Sequence, residues 1–111
     1  MTSTAADRIR AEVSAWPNIV AKPHRFGGIE FTVGHREIGH LHGGHLVDIP
    51  FPMPVHDELI AAGRVEQHHV LPETGWVSFP IRTDDDVDRA IELLRLNYER
   101  PWQFEGGQVS E

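Results

Sequence analysis

Apolar residues recur at three- and four-residue steps near the start of the chain, at Ala6, Ile9, Val13 and Trp16. That spacing lines one face of a helix over residues 5–16, with Ser3 or Thr4 able to cap its start and Pro17 to stop it. The period changes over residues 26–33, where Ile29, Phe31 and Val33 alternate with Glu30 and Thr32 ahead of the turn residue Gly34. Alternation of this kind predicts a strand. Residues 37–49 read as two further strands split at Gly43-Gly44, a dipeptide that supplies the positive backbone angles of a two-residue hairpin loop. Pro50, Pro52 and Pro54 end that hairpin, and Pro54 suits the first turn of a short helix carrying Val55, Leu59 and Ile60 and closed by Gly63. Residues 76–81 alternate as a fourth strand. The strongest helical pattern comes last: Thr83 can cap it, Asp84, Asp85 and Asp86 sit at the positive end of the helix dipole, and Val87, Ala90, Ile91, Leu94 and Tyr98 form one stripe. Asp85 with Arg89 and Arg95 with Glu99 are spaced for i,i+4 pairs on its exposed side.

The order is therefore α-β-β-β-α-β-α, without internal repeats. Consecutive hairpins dominate and one strand is reached through a helical crossover, so the expected fold is α+β: a single small domain with a four-stranded, mainly antiparallel sheet and helices packed on one face. A length of 111 residues is one domain's worth of chain. Within it, 1–17 hold the N-terminal helix, 26–100 the core, and 101–111 a patternless tail expected to be mobile.

Composition narrows the chemistry. The chain has no cysteine, which excludes disulfides, thiolate nucleophiles, iron–sulfur clusters and Cys-type zinc sites. Ten Lys and Arg against seventeen Asp and Glu leave a formal charge of −7, and without a basic run a nucleic-acid partner is not expected. No apolar stretch approaches the length of a membrane span, and the N-terminus lacks the regions of a signal peptide, so a cytoplasmic protein with no membrane partner is expected. Phosphate-binding glycine loops, the Gly-x-Ser-x-Gly elbow and the His-Glu-x-x-His helix are all missing, which lowers dinucleotide oxidoreduction, nucleotide hydrolysis and Ser-triad hydrolysis.

The unusual number is eight His, seven of them between His35 and His69. Protonating all eight would carry the formal charge from −7 to +1, so the chain's charge turns on the histidine range. With a two-residue loop, His42 lies opposite His45 and His40 opposite Val47, and three imidazoles share one patch. His40, His42 and His45 are then candidate ligands of a divalent metal, with His68 or His69 able to complete the set. The same imidazoles can instead act without a cofactor, as general bases toward an acidic enol or phenol. In this register Glu37 and Asp48 point to the opposite face and join the cluster only through a bulge. Arg36 and Arg82 are either solvated charges or anchors for an anionic substrate group, and Trp76 is either a core or hairpin residue or part of a substrate platform. His24, His35 and His56 are expected at the surface.

Arg36-Glu37-Ile38-Gly39-His40-Leu41-His42 resembles the signature of the fungal-luciferase-type, or luciferase-like, domain family, whose members carry a similar Arg-Glu-Ile-Ala-His-Met-His stretch. Gly63-Arg64-Val65-Glu66-Gln67-His68 falls where that family has a Gly-Trp-Gly-Gln-Arg-His type segment. Trp76 through Arg82, leading into Asp84-Asp85-Asp86, is similar to the family's final strand and helix. The resemblance covers residues 31–98 and implies that Glu37, His40, His42, His68 and Arg82 occupy motif positions. It departs at Arg64, where the family has tryptophan, at Val47, nearest the place of a further family histidine, and at His45, which is an addition. The fungal enzyme oxygenates a hydroxylated pyrone with molecular oxygen and no known added cofactor.

The leading expectation is a domain that binds a small organic molecule, possible oxygenase activity being its sharper form. In it His40, His42 and His68 are the catalytic candidates and Glu37, Arg82 and Trp76 the substrate-binding ones. Two alternatives stand beside it: a metal site built on His40, His42 and His45, and a non-catalytic binding module whose association depends on histidine charge.

Overall fold

A computed structural model describes residues 4–23, 27–68 and 74–100. His24, Phe26, His69 and the tail expected at 101–111 lie outside the described residues. The elements run α1 (Ala5–Ser14), β1 (Ile19–Pro23), β2 (Ile29–Val33), β3 (Arg36–His42), β4 (Leu46–Pro50), α2 (Met53–Ala61), β5 (Glu66–Gln67), β6 (Trp76–Pro80) and α3 (Asp84–Tyr98). The six strands form one antiparallel sheet in the order β1-β2-β3-β4-β6-β5.

The α+β class and the antiparallel sheet follow the expectation, but the sheet has six strands rather than four. Both additional strands are edges whose sequences carry little signal. In β1 only Ile19 and Ala21 are half-buried, Val20 is exposed, and Pro23 ends it. β5 is two exposed polar residues. Edge strands need no alternating apolar face, so the period-two test passes over them.

Helix ends follow their residues closely. Thr4 with Asp7 and Thr83 with Asp86 each form a reciprocal capping box, which satisfies orphan donors at the first turn of α1 and α3. Arg95 pairs with Glu99 at 2.6 Å, while Arg89 takes Asp86 at 3.2 Å, where the spacing suggested Asp85. That substitution costs nothing, since i,i+3 and i,i+4 neighbours lie on the same helix surface.

α1 and α3 pack on each other and on β1, β3 and β4. Between them and the sheet sit Ile9, Val13, Phe31, Ile38, Leu41, Val47, Ile49, Val77, Val87, Ala90 and Leu94, all nearly or fully inaccessible to solvent. Because side chains alternate across a strand, Asp48, between Val47 and Ile49, turns to the face away from α1 and α3.

Two irregularities in the sheet decide what gathers on that second face. The first is the β3–β4 turn, which spans three residues. His42 pairs with Leu46, Leu41 with Val47 and His40 with Asp48. Only Gly43 is left-handed there, at φ 57°, so the two positive-φ residues of a two-residue turn are not supplied. The His45 carbonyl is also held by Ile81 N–H at 2.8 Å, which fixes the longer turn against the end of β6. The expected pairing of His42 with His45 is thereby shifted by one residue, and His45 lies exposed in the turn.

The second is a β-bulge in β3. Gly39 pairs with Phe31 but Glu37 pairs with Thr32, leaving Ile38 without a partner in the β2 ladder. An extra residue reverses the alternation beyond it, so Glu37 and His40 share a face although they stand three positions apart. A Cβ on Gly39 would lie 2.6 Å from Leu94 Cδ2 and 3.0 Å from the Asp48 carbonyl oxygen. With Ile38 already filling the helix side, a side chain at position 39 would have to push Leu94 aside. Asn97, fully buried on α3, donates from Nδ2 to the Ile38 carbonyl at 3.0 Å, and so satisfies the backbone group that the bulge displaces.

Candidate functional site

The register produces one polar row running straight across the sheet. Lys22, Glu30, His40, Asp48, Ser78 and Glu66 stand directly opposite one another, each the partner of the next. Asp48 is at its centre and has no exposure to solvent. A buried carboxylate must be compensated by donors or positive charge, and the surrounding side chains supply both.

Ser78 donates its hydroxyl to Asp48 Oδ1 at 2.7 Å. The other oxygen, Oδ2, faces three imidazoles: His42 Nε2 at 2.8 Å, His68 Nε2 at 3.2 Å and His40 Nε2 at 3.4 Å. On its far side, His40 Nδ1 meets Glu37 Oε2 at 2.6 Å. His40 therefore sits between two carboxylates, Glu37 on one ring nitrogen and Asp48 on the other. The His40 and His42 rings meet edge to face at 4.8 Å, and Trp76 lies against His40 at 5.3 Å and His68 at 6.0 Å. His40 and His68 are buried, while the His42 side chain keeps 30% exposure and is the most open of the three rings.

Electrostatics follow from this geometry. Burial pulls the His40 pKa down, but hydrogen bonds to Asp48 and Glu37, together with their charges, outweigh it and raise the value from 6.5 to about 9. At neutral pH the metal-free His40 is an imidazolium. Burial likewise pushes Asp48 up, and hydrogen bonds from His40, Ser78 and His42, reinforced by the charge of His68, bring it well below the usual carboxylate range.

These directions set a pH window for stability. A raised histidine pKa stabilises fully below 6.5 and is lost as pH rises through about 9. The lowered carboxylate stabilises above its ordinary value of about 3.9 and is lost only in strong acid. The metal-free protein should hold a plateau between about pH 4 and 6.5, then lose about 3 kcal/mol by pH 9, at 1.36 kcal/mol per unit. Urea unfolding at pH 6 and 9.5 checks this. The loss should be absent in His40→Gln, and a wild-type slope equal to that variant's would contradict the assignment.

The structure thus brings together Glu37, His40, His42, His68 and Trp76. It does not bring His45, which the one-residue register shift leaves in the exposed turn. Nor does it bring Arg82, an exposed residue before α3 whose backbone N–H donates to Asp86. Glu37 and Asp48 were expected on the opposite face; the bulge turns Glu37 to the cluster, and the three-residue turn does the same for Asp48. Buried His56, expected at the surface, contacts Asp57 through Nδ1 at 2.9 Å. Asp48, expected on the other face, and Ser78, not singled out by its sequence, are the cluster members that periodicity misplaced or missed. Each is a single polar residue within a short apolar run, Leu46-Val47-Asp48-Ile49 and Val77-Ser78-Phe79, and such isolated polar positions in core strands are their only sequence signal.

Among the described residues, no helix is long and apolar enough to cross a membrane. No curated protein and no solved structure matches the chain. The family model described as the Luciferase domain matches residues 35–97. That span holds the bulge, the three-residue turn, all five charged and imidazole groups of the cluster, Ser78, Trp76 and Asn97. Since it takes in more than half of the sequence, the chain belongs to the Luciferase domain family.

Proposed function

We propose that the polar face of the sheet binds a small organic molecule with an acidic enolic or phenolic hydroxyl and removes that proton, with oxygenation of the resulting anion as the reaction. The observation that carries this reading is the buried Asp48 carboxylate with three imidazole nitrogens at 2.8–3.4 Å from one oxygen. Such a charge cluster is a poor way to stabilise a fold, and perturbed groups of this kind concentrate at functional sites.

The roles divide by environment. Asp48 accepts Nε2–H of His42, so the basic lone pair of the neutral His42 ring is on Nδ1, and its partial exposure makes this the ring a ligand meets. His42 is the general base. His40, held as a cation between Glu37 and Asp48, stabilises the negative charge left on the substrate oxygen. Trp76, lying against two of the imidazoles, offers a flat apolar wall for an aromatic or pyrone-like ring. In the reaction the substrate proton passes to His42 and dioxygen bonds to the electron-rich carbon. The proton then returns to the terminal oxygen, giving a hydroperoxide; both oxygen atoms come from dioxygen and no external reductant is consumed.

A simple hydroxylated 2-pyrone is the test compound. Wild type should shift its absorbance to that of the enolate on binding and should consume oxygen with it. His42→Ala, at a partly exposed position that leaves the core intact, should lose oxygen consumption at least about 100-fold, the usual scale of a positioned base. Equal turnover by the folded variant, or no binding across a panel of enols and phenols, would overturn the reading.

A further inference from the structure

We infer that His40, His42 and Asp48 form a binding site for one divalent first-row transition ion. The inference rests on the same cluster as the proposed function; with an ion bound, His40 and His42 would turn Nε2 to it in place of the cation and base roles they hold without one, and the ion would supply the positive charge that meets the substrate anion. Among the described residues, these three are the group whose donor atoms all lie within 4.8 Å of one another. Two imidazoles and one carboxylate on a single face, with the remaining positions open, are the donor set of non-haem iron(II) oxygenases.

Three details beyond proximity support an ion. First, three Nε2 atoms are directed at one carboxylate oxygen, one more than its two lone pairs can accept as hydrogen bonds. Converging nitrogens are what an ion requires and what proton donors alone do not. Second, the His42 and His40 nitrogens stand 2.8 and 3.4 Å from Asp48 Oδ2. Adjacent ligands on an ion with bonds of about 2.1 Å are about 3.0–3.4 Å apart, so these two pairs already match, while the His40–His42 pair, within 4.8 Å, closes further when the rings turn onto an ion. Third, the ligands carry outer partners that select their coordinating atoms. Glu37 takes Nδ1–H of His40 and leaves Nε2 to the ion, and Ser78 occupies Oδ1 of Asp48 and leaves Oδ2. A carboxylate behind a ligating imidazole is the common outer-shell arrangement at such centres. His68, at 3.2 Å from the same oxygen but outside the group of three, flanks the site.

The test uses untagged full-length protein, stripped with a chelator and titrated without oxygen with cobalt(II), whose visible bands report coordination. Wild type should take up about one ion per chain, with bands of a five- or six-coordinate site. His42→Ala and Asp48→Asn should abolish those bands, and Glu37→Gln should weaken uptake by about 10- to 100-fold. His45→Ala should change nothing, since His45 is the exposed histidine of the adjoining turn. Because Asp48→Asn can disturb folding, His42→Ala and Glu37→Gln carry the conclusion if its circular dichroism differs. Absence of uptake, uptake that survives His42→Ala, or uptake lost with His45→Ala overturns the site. The hydroxylated pyrone separates the two readings. Binding of the pyrone without cobalt uptake overturns the ion and leaves the proposed function, whereas cobalt uptake without pyrone binding supports the ion and overturns that function.

Discussion

Asp48→Ala is expected to destabilise the metal-free domain by about 3–5 kcal/mol, the range for removing one partner from a buried charge network. The carboxylate is fully buried, and Ser78, His40, His42 and His68 all meet it. Its removal leaves an imidazolium at His40 with one carboxylate instead of two, and leaves the Ser78 hydroxyl facing a void. The His40 pKa should then fall from about 9 toward 6.5, because the hydrogen bond to Asp48 is the largest influence raising it. Asp48→Asn keeps the volume and a partner for Ser78, so it should cost less than Asp48→Ala while lowering the His40 pKa as much. Urea unfolding at pH 6 and histidine NMR read the two effects separately. An Asp48→Ala protein more stable than wild type would mean that the cluster does not depend on this carboxylate for its cohesion.

Asn97→Ala is expected to cost about 3 kcal/mol, combining a cavity in the core with an unsatisfied backbone carbonyl. Asn97 has no solvent exposure, and its Nδ2 holds the carbonyl of Ile38 at 3.0 Å, where the bulge has taken that residue out of the ladder. Asn97→Leu separates the two contributions, since it restores volume without a donor and should recover only part of the loss. If α3 fixes the bulge through this bond, loosening it disturbs the contact of Glu37 with His40, and the His40 pKa should drop in both variants. A pKa unmoved from about 9 in a folded Asn97→Ala protein would show that the bulge stands without its helix.

How much of this could be read from residues alone depended on whether a feature is local. The helices announce themselves through caps and apolar stripes, and Thr4 and Thr83 cap α1 and α3 as their sequences indicate. The family resemblance was legible for the same reason, being carried by the contiguous run from Arg36 to His42. His40, His42 and His68 could be singled out because histidine is chemically conspicuous. Asp48 could not, because its place depends on the turn between β3 and β4 having three residues rather than two. A Gly-Gly pair is compatible with either length, and the deciding bond, from Ile81 to the His45 carbonyl, joins residues far apart in sequence. A one-residue change of register exchanges the faces of a strand, which put Asp48 in the cluster and His45 outside it. Glu37 shows the same dependence at the bulge, where the space beside Gly39 is set by Leu94 on α3. The edge strands β1 and β5 stayed hidden because β1 buries only Ile19 and Ala21, in part, and β5 buries neither of its residues.

The bulge and the three-residue turn bring Glu37, His40, His42, His68 and Asp48 onto one face as a single bonded cluster. Nitrogen NMR of the imidazole rings in metal-free protein at pH 7 tests it most directly. His40 should show both ring nitrogens protonated and hold that charge until pH approaches 9, and His42 Nε2 should show a hydrogen bond to Asp48. Should His40 instead titrate near 6.5 with the tautomer mixture of a free imidazole, it does not lie between Glu37 and Asp48, and the cluster does not exist in solution.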